Sequence, residues 1–207
     1  MTSLNLAEIC PATHSLGPGQ RFVIWVQGCC FNCSGCVSPE WIPNREATLV
    51  EPKKLAELIL SSPNTEGVTV SGGEPMLQAS ALRELFEELR QKSDLSIICY
   101  SGFTLEQLRH QNNADIEQVL AQLDVLIDGQ YIEERNDNQG WRGSSNQVIH
   151  FLTPRHLPEV NLFSERRRNV EIHVRNQSAL MVGVPPTNFS EVFEQSVDSS
   201  SETVGKN

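Results

Sequence analysis

Positive charge is scarce in this sequence. Among its 207 residues there are 16 Lys and Arg against 26 Asp and Glu, which gives a formal net charge of −10, and no long Lys/Arg stripe runs through the chain. Proteins that bind DNA or RNA neutralise phosphates with a basic surface. The charge balance therefore predicts that nucleic acid is not a partner.

Long apolar stretches are also missing. A membrane-spanning helix needs about 18 or more consecutive apolar residues, and no such run occurs. Residues 1–15 lack the basic start and apolar core of a signal peptide, so we expect a cytoplasmic protein that does not bind a membrane. The length suits one domain, which we place at residues 1–186, followed by a tail at 187–207 whose composition predicts disorder.

Cysteine is the most informative residue type. Six cysteines are too few and too bunched for a disulfide framework in a reducing compartment, which favours metal or cluster binding. Cys29, Cys33 and Cys36 form a C-x3-C-x2-C pattern inside a loop that we place at residues 28–40. Three thiolates can hold three irons of a 4Fe-4S cubane and leave the fourth iron open, whereas ferredoxins normally supply four cysteines. The pattern predicts a cluster whose open iron can bind a substrate.

Two other uses of the cysteines remain open. Cys30 creates the C-x2-C-x2-C spacing of bacterial ferredoxins, but residues 37–40 are Val-Ser-Pro-Glu, so the fourth cysteine of that pattern is absent. A zinc site that recruits Cys99 or Cys10 as its fourth ligand is the second alternative, although such sites usually pair two C-x2-C knuckles. Otherwise Cys99 lies in an apolar run, where cysteine commonly acts as a small buried hydrophobe.

Strand-like and helix-like segments alternate along the chain. Apolar runs predict strands at 22–27, 67–71, 95–100 and 124–128, and apolar residues at helical spacing predict helices around 52–60, 82–89 and 116–123. This order predicts an α/β fold with a parallel sheet and right-handed crossovers, either as an open sheet or as a partial barrel. Further strands are predicted at 146–152 and at 170–184, the latter a hairpin that turns at Asn176-Gln177.

Four loops follow the predicted parallel strands directly. They are the cysteine loop, Gly72-Gly73-Glu74, Tyr100-Ser101-Gly102 and Asp128-Gly129. Ligands gather at the carboxyl ends of parallel strands, so we expect these loops to converge on one mouth. Glycines there allow a ligand to approach the backbone closely, and Glu74 can accept a hydrogen bond from an ammonium group.

The cysteine pattern after the first strand and Gly72-Gly73-Glu74-Pro75 after the second resemble the radical SAM superfamily. Within it the sequence is most similar to the glycyl radical enzyme activases, above all to those that serve anaerobic ribonucleotide reductase. The matching stretches are residues 17–21, 25–29, 33–36, 68–75, 124–129 and 142–147. The sequence departs from that pattern at Ser38, where Asn is usual, at Gln130-Tyr131, and in the long segment that follows Gln147.

The resemblance implies a partial (βα)6 radical SAM barrel with helices outside, a single 4Fe-4S cluster held by three cysteines, and S-adenosylmethionine on the open iron. It implies ligands of the iron at Cys29, Cys33 and Cys36, contacts to the methionine amino group at Gly72, Gly73 and Glu74, to the adenine at Gly35 and Val37, and to the ribose or carboxylate at Ser101 and Asp128. It also implies an oxidoreductase whose 5'-deoxyadenosyl radical abstracts hydrogen from a glycine of the reductase. The electron would come from a flavodoxin or ferredoxin.

Two other functions remain as alternatives. The same cleavage could serve modification of a peptide, a nucleotide or a tRNA base, and a cluster with a fourth protein ligand would indicate an electron-transfer or metal-sensing module without turnover.

Several polar features outside the cysteine loop allow a structural interpretation. The segment 141–146 resembles the activases, and we expect Arg142 to contact a carboxylate or a docked peptide. The charge run 165–168 is interpreted as a solvated turn. The histidines lack ligand spacing, and His14 alone is expected near the cysteine loop. Residues 151–186 are expected to extend the sheet or to cover one side of the cavity.

Overall fold

The computed structural model describes residues 2–175, 178–189 and 193. Within them, seven strands form one mixed sheet: β1 Leu4–Thr13, β2 Arg21–Val26, β3 Thr48–Val50, β4 Gly67–Gly72, β5 Ser96–Ser101, β6 Val125–Asp128 and β7 Val148–Phe151. Their order across the sheet is β3-β1-β2-β4-β5-β6-β7. The central strands β2, β4, β5 and β6 are parallel, and β1, β3 and β7 pair with their neighbours in antiparallel fashion.

Helices cover one face of this sheet. They are α1 Pro52–Ser61, α2 Ala79–Lys92, α3 Leu105–His110 and α4 Ala114–Leu120. Leu82, Leu85 and Phe86 of α2 are fully buried against alternate residues of the parallel strands, such as Val68 and Ile97. Side chains alternate between the two faces of a strand, so the intervening residues point to the opposite face.

The chain beyond β7 covers that opposite face. It contains α5 Val160–Glu165 and a hairpin of β8 Val170–Arg175 with β9 Ser178–Gly183, which forms a separate two-stranded sheet. Val182 of β9 packs with Val23 and Trp25 of β2, and Phe163 of α5 packs with Ile98 and Trp141. The segment therefore covers the main sheet and does not extend it.

The predicted α/β fold with central parallel strands is confirmed, and so are the predicted helices, the strand before residue 152 and the hairpin. The six-unit radical SAM barrel is not confirmed, because four described strands are parallel. The proposed turn at Asn176-Gln177 lies outside the described residues, as does most of the 187–207 tail. No described helix has the length and apolarity that a bilayer crossing requires.

The sequence patterns did not predict two of the strands, β1 and β3. In β1 the buried Leu4 and Leu6 alternate with the half-buried Asn5 and Ala7, and Pro11 interrupts the pattern near its end. In β3 the three residues are exposed or half-buried. Both strands lie at one side of the sheet, where composition carries a weaker signal than in β2, all six of whose residues are buried.

Asp124 connects the sheet to the segment beyond β7. One carboxylate oxygen accepts hydrogen bonds from the Ile97 amide at 2.8 Å and from Arg90 at 2.9 Å, and the other accepts from the Thr153 hydroxyl at 2.6 Å. Burial by itself would raise the pKa of Asp124, but these hydrogen bonds outweigh it and lower the pKa below its ordinary value.

We expect Asp124→Asn to reduce the free energy of unfolding by about 1–3 kcal/mol at neutral pH, because donors that faced a carboxylate meet an amide. A group with a depressed pKa stabilises the fold above its ordinary pKa, and this contribution is lost as the pH falls through the native pKa. Urea unfolding should therefore show that the difference in free energy of unfolding between the unchanged protein and Asp124→Asn is smaller at acidic than at neutral pH. Asp94→Asn, at an 88% exposed side chain, is the control and should change little. A difference that stays constant with pH would contradict this account.

Candidate iron–sulfur site

The cysteine loop begins where β2 ends. Gly28 adopts a positive φ of 97° and turns the chain out of the strand. Its amide donates to the Trp41 carbonyl at 2.9 Å, and the Cys29 amide donates to the Ile42 carbonyl at 2.9 Å. These two backbone hydrogen bonds join the ends of the loop, so the cysteines lie in a closed excursion at the carboxyl end of the parallel sheet.

The cysteines of the loop differ in burial. Cys29, Cys33 and Cys36 are half-buried and Cys30 is exposed, and the 29, 33, 36 ligand register stays a prediction. Burial raises the pKa of Cys29 to about 11, although its sulfur accepts a hydrogen bond from the Phe31 amide. Loading such a thiol with iron releases its proton.

The arrangement differs from that of a mononuclear metal site. In the part of the chain that the structure describes, no three His, Cys, Asp or Glu side chains gather as ligands of one ion would, whereas the thiolates of a cubane bind different irons. Cys99 is fully buried in the core on the helical face, and Cys10 is buried on the opposite face beside the His173 ring. These positions favour the structural interpretation of both thiols.

The Gly72-Gly73-Glu74 turn packs backbone to backbone on the start of the cysteine loop. The Gly73 amide donates to the Val26 carbonyl at 2.8 Å, and the Glu74 amide donates to the Gly28 carbonyl at 2.9 Å. A Cβ on Gly72 would lie 2.4 Å from the Val26 nitrogen, and one on Gly73 would lie 2.2 Å from the Gly28 oxygen. Only residues without a side chain allow this approach.

Glu74 lies beneath the turn, and its side chain is nearly inaccessible at 1% exposure of the residue. One oxygen accepts from the Met76 amide and the Ser101 hydroxyl, both at 2.9 Å, and the other accepts from the Gly102 amide at 2.7 Å. Burial raises the pKa of Glu74 against these hydrogen bonds. The carboxylate thus joins the ends of β4 and β5, and its role towards an ammonium group stays a prediction.

Asp128 lies beside Ser101, with which it is paired in register at the ends of β6 and β5. One of its oxygens accepts from the Leu105 amide at 2.5 Å and from His150 Nε2 at 2.8 Å. The other oxygen is buried and has no partner among the described residues. The sequence interpretation missed His150, because only the antiparallel register of β7 brings it to Asp128.

The chain between Asp128 and Gln147, here called the 129–147 loop, borders the cysteine loop. The Ser34 hydroxyl donates to the Glu133 carboxylate at 3.0 Å. A cavity of about 260 Å³ lies between the two loops, lined by Asn32, Cys33, Ser34, Gln130, Tyr131, Ile132, Glu133 and Glu134. Gly35 lies against Glu133, while Val37 is 57% exposed at the surface of the cysteine loop.

Three further expectations can be compared with the structure. Arg142 contacts a carboxylate, that of Asp137 at 2.7 Å within the same loop. The expectation for His14 is wrong, since it lines a cavity with Gly17 and Pro18, at the end of β2 opposite to the cysteine loop. The interpretation of the 165–168 run as a solvated turn is wrong for Arg168, whose side chain is 1% exposed.

Comparisons with known proteins agree with this geometry. A family model described as a 4Fe-4S single cluster domain matches residues 15–150. An anaerobic ribonucleoside-triphosphate reductase-activating protein of Vibrio cholerae is 34% identical over 158 residues, which cover 72% of this chain and 99% of the relative. The protein of that name from Escherichia coli is 30% identical over 72% of this chain and 99% of its own length. The one from Haemophilus influenzae is 30% identical over 71% of this chain and 97% of its own length.

The chain belongs to the anaerobic ribonucleoside-triphosphate reductase-activating proteins. The prediction of a 4Fe-4S protein of the activating type is thereby confirmed. The matched domain contains the cysteine loop, the Gly72-Gly73-Glu74 turn and the strands of the main sheet from β2 onward, whereas β1 precedes it. It ends at residue 150 inside β7, so α5 and the β8–β9 hairpin lie outside it.

Phe31 fastens the middle of the cysteine loop of this activating protein to the end of β5. Its ring packs edge-on against Phe103 with 4.7 Å between centroids, and it lies directly over Gly102. A Cβ on Gly102 would be 2.5 Å from two ring carbons of Phe31, and φ at Gly102 lies outside the left-handed region. The ring is therefore the main obstacle to a side chain at this position.

We expect Gly102→Ala to destabilise the protein by about 1–3 kcal/mol through overpacking and to lower the iron bound per chain after anaerobic reconstitution. Removing the ring should remove the conflict, so the same substitution should cost little in a Phe31→Ala background. The test is a double-mutant cycle, in which urea unfolding and iron content are measured for the two single variants and the double variant. If Gly102→Ala lowered the free energy of unfolding equally with and without the Phe31 ring, the contact between Gly102 and Phe31 would not explain the effect.

Proposed function

We propose that this chain is a radical SAM enzyme that activates an anaerobic ribonucleotide reductase by removing a hydrogen atom from a glycine of that partner. The observation that carries the proposal is the cysteine loop: three half-buried thiols in an excursion closed at both ends and packed on Gly72-Gly73-Glu74. The names of the relatives supply the partner.

The donor set fits a 4Fe-4S cluster with one open iron. Cys29, Cys33 and Cys36 would hold three irons, and Cys10 and Cys99 are buried in packed cores. The fourth iron therefore remains for the amino and carboxylate groups of S-adenosylmethionine. When bound, cluster and S-adenosylmethionine together supply the reductive cleavage that gives methionine and a 5'-deoxyadenosyl radical.

The residues of the mouth hold and orient the cosubstrate. Gly72 and Gly73 expose their backbone to the methionine amino group, and Glu74 keeps that turn in place through its three internal hydrogen bonds. The buried oxygen of Asp128 that lacks a partner among the described residues would accept from a ribose hydroxyl or an ammonium proton. Ser101 lies beside it in register.

Gly35 and Val37 would border the adenine. Gly35 lies against Glu133 of the 129–147 loop, and the exposed Val37 can close over a flat apolar ring. The four parallel strands would form the wall of a partial radical SAM barrel, whose carboxyl ends carry all of these residues.

Access to the mouth suits large partners. Cys30, Asn32, Ser34 and Val37 are exposed along the cysteine loop, so a flavodoxin or ferredoxin can approach the cluster closely enough to deliver an electron. The same exposure allows a glycine-bearing loop of the reductase to reach the mouth.

The decisive experiment is anaerobic reconstitution with iron and sulfide, followed by dithionite and S-adenosylmethionine. We expect release of methionine and 5'-deoxyadenosine, and a glycyl-type doublet in the electron paramagnetic resonance spectrum when an anaerobic ribonucleotide reductase is added. Cys29→Ala, Cys33→Ala and Cys36→Ala should each abolish release, because a cubane with two protein thiolates is not held.

Cys30→Ala is the matched control and should retain release, since Cys30 belongs only to the competing register. Iron binding without any nucleoside release would favour an electron-transfer module. Release of 5'-deoxyadenosine without a doublet on the reductase would indicate that the radical acts on a peptide, a nucleotide or a tRNA base instead.

A further inference from the structure

Arg168 is an unusual member of the charge run at 165–168. Its side chain is 1% exposed, although charged side chains are rarely buried without partners. Burial lowers the pKa of its guanidinium, and the nearest carboxylate, that of Asp137, is 3.8 Å away. Because the Asp137 carboxylate lies no closer than this, the buried cation also depends on hydrogen bonds to neutral oxygens.

The guanidinium of Arg168 binds the 129–147 loop at several points. One terminal nitrogen donates to Asn136 Oδ1 at 2.7 Å, and the other donates to the carbonyls of Arg142 at 2.7 Å and Gly143 at 2.9 Å. The first nitrogen also donates to the Pro185 carbonyl at 3.3 Å. One side chain from beyond the matched domain thus joins two separate parts of the loop.

Neighbouring backbone contacts align Arg168 with the loop. The Gly140 amide donates to the Arg166 carbonyl at 2.8 Å, and the Trp141 amide donates to the Phe163 carbonyl at 3.1 Å. The Arg166 guanidinium lies 4.9 Å from the centroid of the Trp141 ring, a cation–π distance. The segment 163–168 therefore runs along the loop and holds it by backbone and side-chain contacts.

The part of the loop that Arg168 holds is connected to the part that borders the cysteines. Asn136, which accepts from Arg168, donates through its amide nitrogen to the Tyr131 hydroxyl at 3.2 Å. The Ser144 hydroxyl, next to Gly143, accepts from the Ile132 amide at 3.1 Å. Glu133 in turn accepts from the Ser34 hydroxyl, and Tyr131 lines the same cavity as Cys33.

We propose that Arg168 is a positioning residue, which fixes the 129–147 loop against the cysteine loop and so makes the segment beyond the matched domain a structural part of the candidate site. Its effect on the loop is independent of the function proposed above. Its effect on S-adenosylmethionine binding rests on that function.

The first test is hydrogen–deuterium exchange of the full chain, purified anaerobically without added cofactor. We expect Arg168→Met to raise amide exchange in residues 130–147 about tenfold and to leave β4 and β5 unchanged. Arg168→Lys should give a smaller increase, because an ammonium keeps the charge but cannot span the same oxygens. Arg175→Met is the matched control: this arginine of β8 is 43% exposed and binds Glu8, so exchange in 130–147 should not change.

Unchanged exchange in 130–147 of Arg168→Met would overturn the proposal. If that variant unfolds throughout, Arg168→Lys decides, since it keeps a cation at this position and loses the contacts that span several oxygens. An increase confined to 130–147 would support the proposal, and no increase would overturn it.

The second test uses reconstituted protein and the release of 5'-deoxyadenosine. We expect Arg168→Met to raise the KM for S-adenosylmethionine about tenfold while kcat changes less than about twofold, because a displaced loop weakens binding more than chemistry. KM and kcat both equal to those of the unchanged protein would overturn the link to the site. If the unchanged protein releases no nucleoside, the proposed function fails, and the exchange result still decides the role of Arg168 in the loop.

Discussion

The candidate site depends on close backbone contact between two turns. The start of the cysteine loop and the Gly72-Gly73-Glu74 turn are joined by amide–carbonyl hydrogen bonds at a separation that no Cβ could share. Because these hydrogen bonds join backbone groups, they leave the cysteine side chains available for binding iron while they fix the position of the loop. The two glycines therefore have a packing role that is independent of any ligand.

Glu74 extends this arrangement to the next strand. A carboxylate buried at the end of a sheet costs free energy unless donors surround it, and here the donors come from the turn itself and from Ser101 and Gly102 after β5. Phe31 contacts the same Gly102 from the cysteine loop. The ends of β2, β4 and β5 are thus held to one another around the cysteine loop.

The segment beyond the matched domain gives this activating protein a second layer on the face opposite to helices α1 to α4. The hairpin and α5 bury Val182 and Phe163 against the main sheet, and Arg168 reaches the loop that borders the cysteines. The matches cover 97–99% of the length of these relatives but only about 72% of this chain. The proposed mouth is therefore bordered here by a loop that the additional layer holds.

Much of the architecture could be predicted from sequence, because buried parallel strands are short apolar runs and the α2 helix shows a regular apolar face. Motif spacing also identified the cysteine loop and the glycine turn, since the residues that need such local geometry are adjacent in the chain. Contacts between distant residues could not be predicted in this way. The burial of Arg168, the pairing of His150 with Asp128 and the inward position of Glu74 depend on which strands become neighbours and in what register. A charge run or a lone histidine has the same local sequence whether it is solvated or buried, so only the tertiary structure decided these roles.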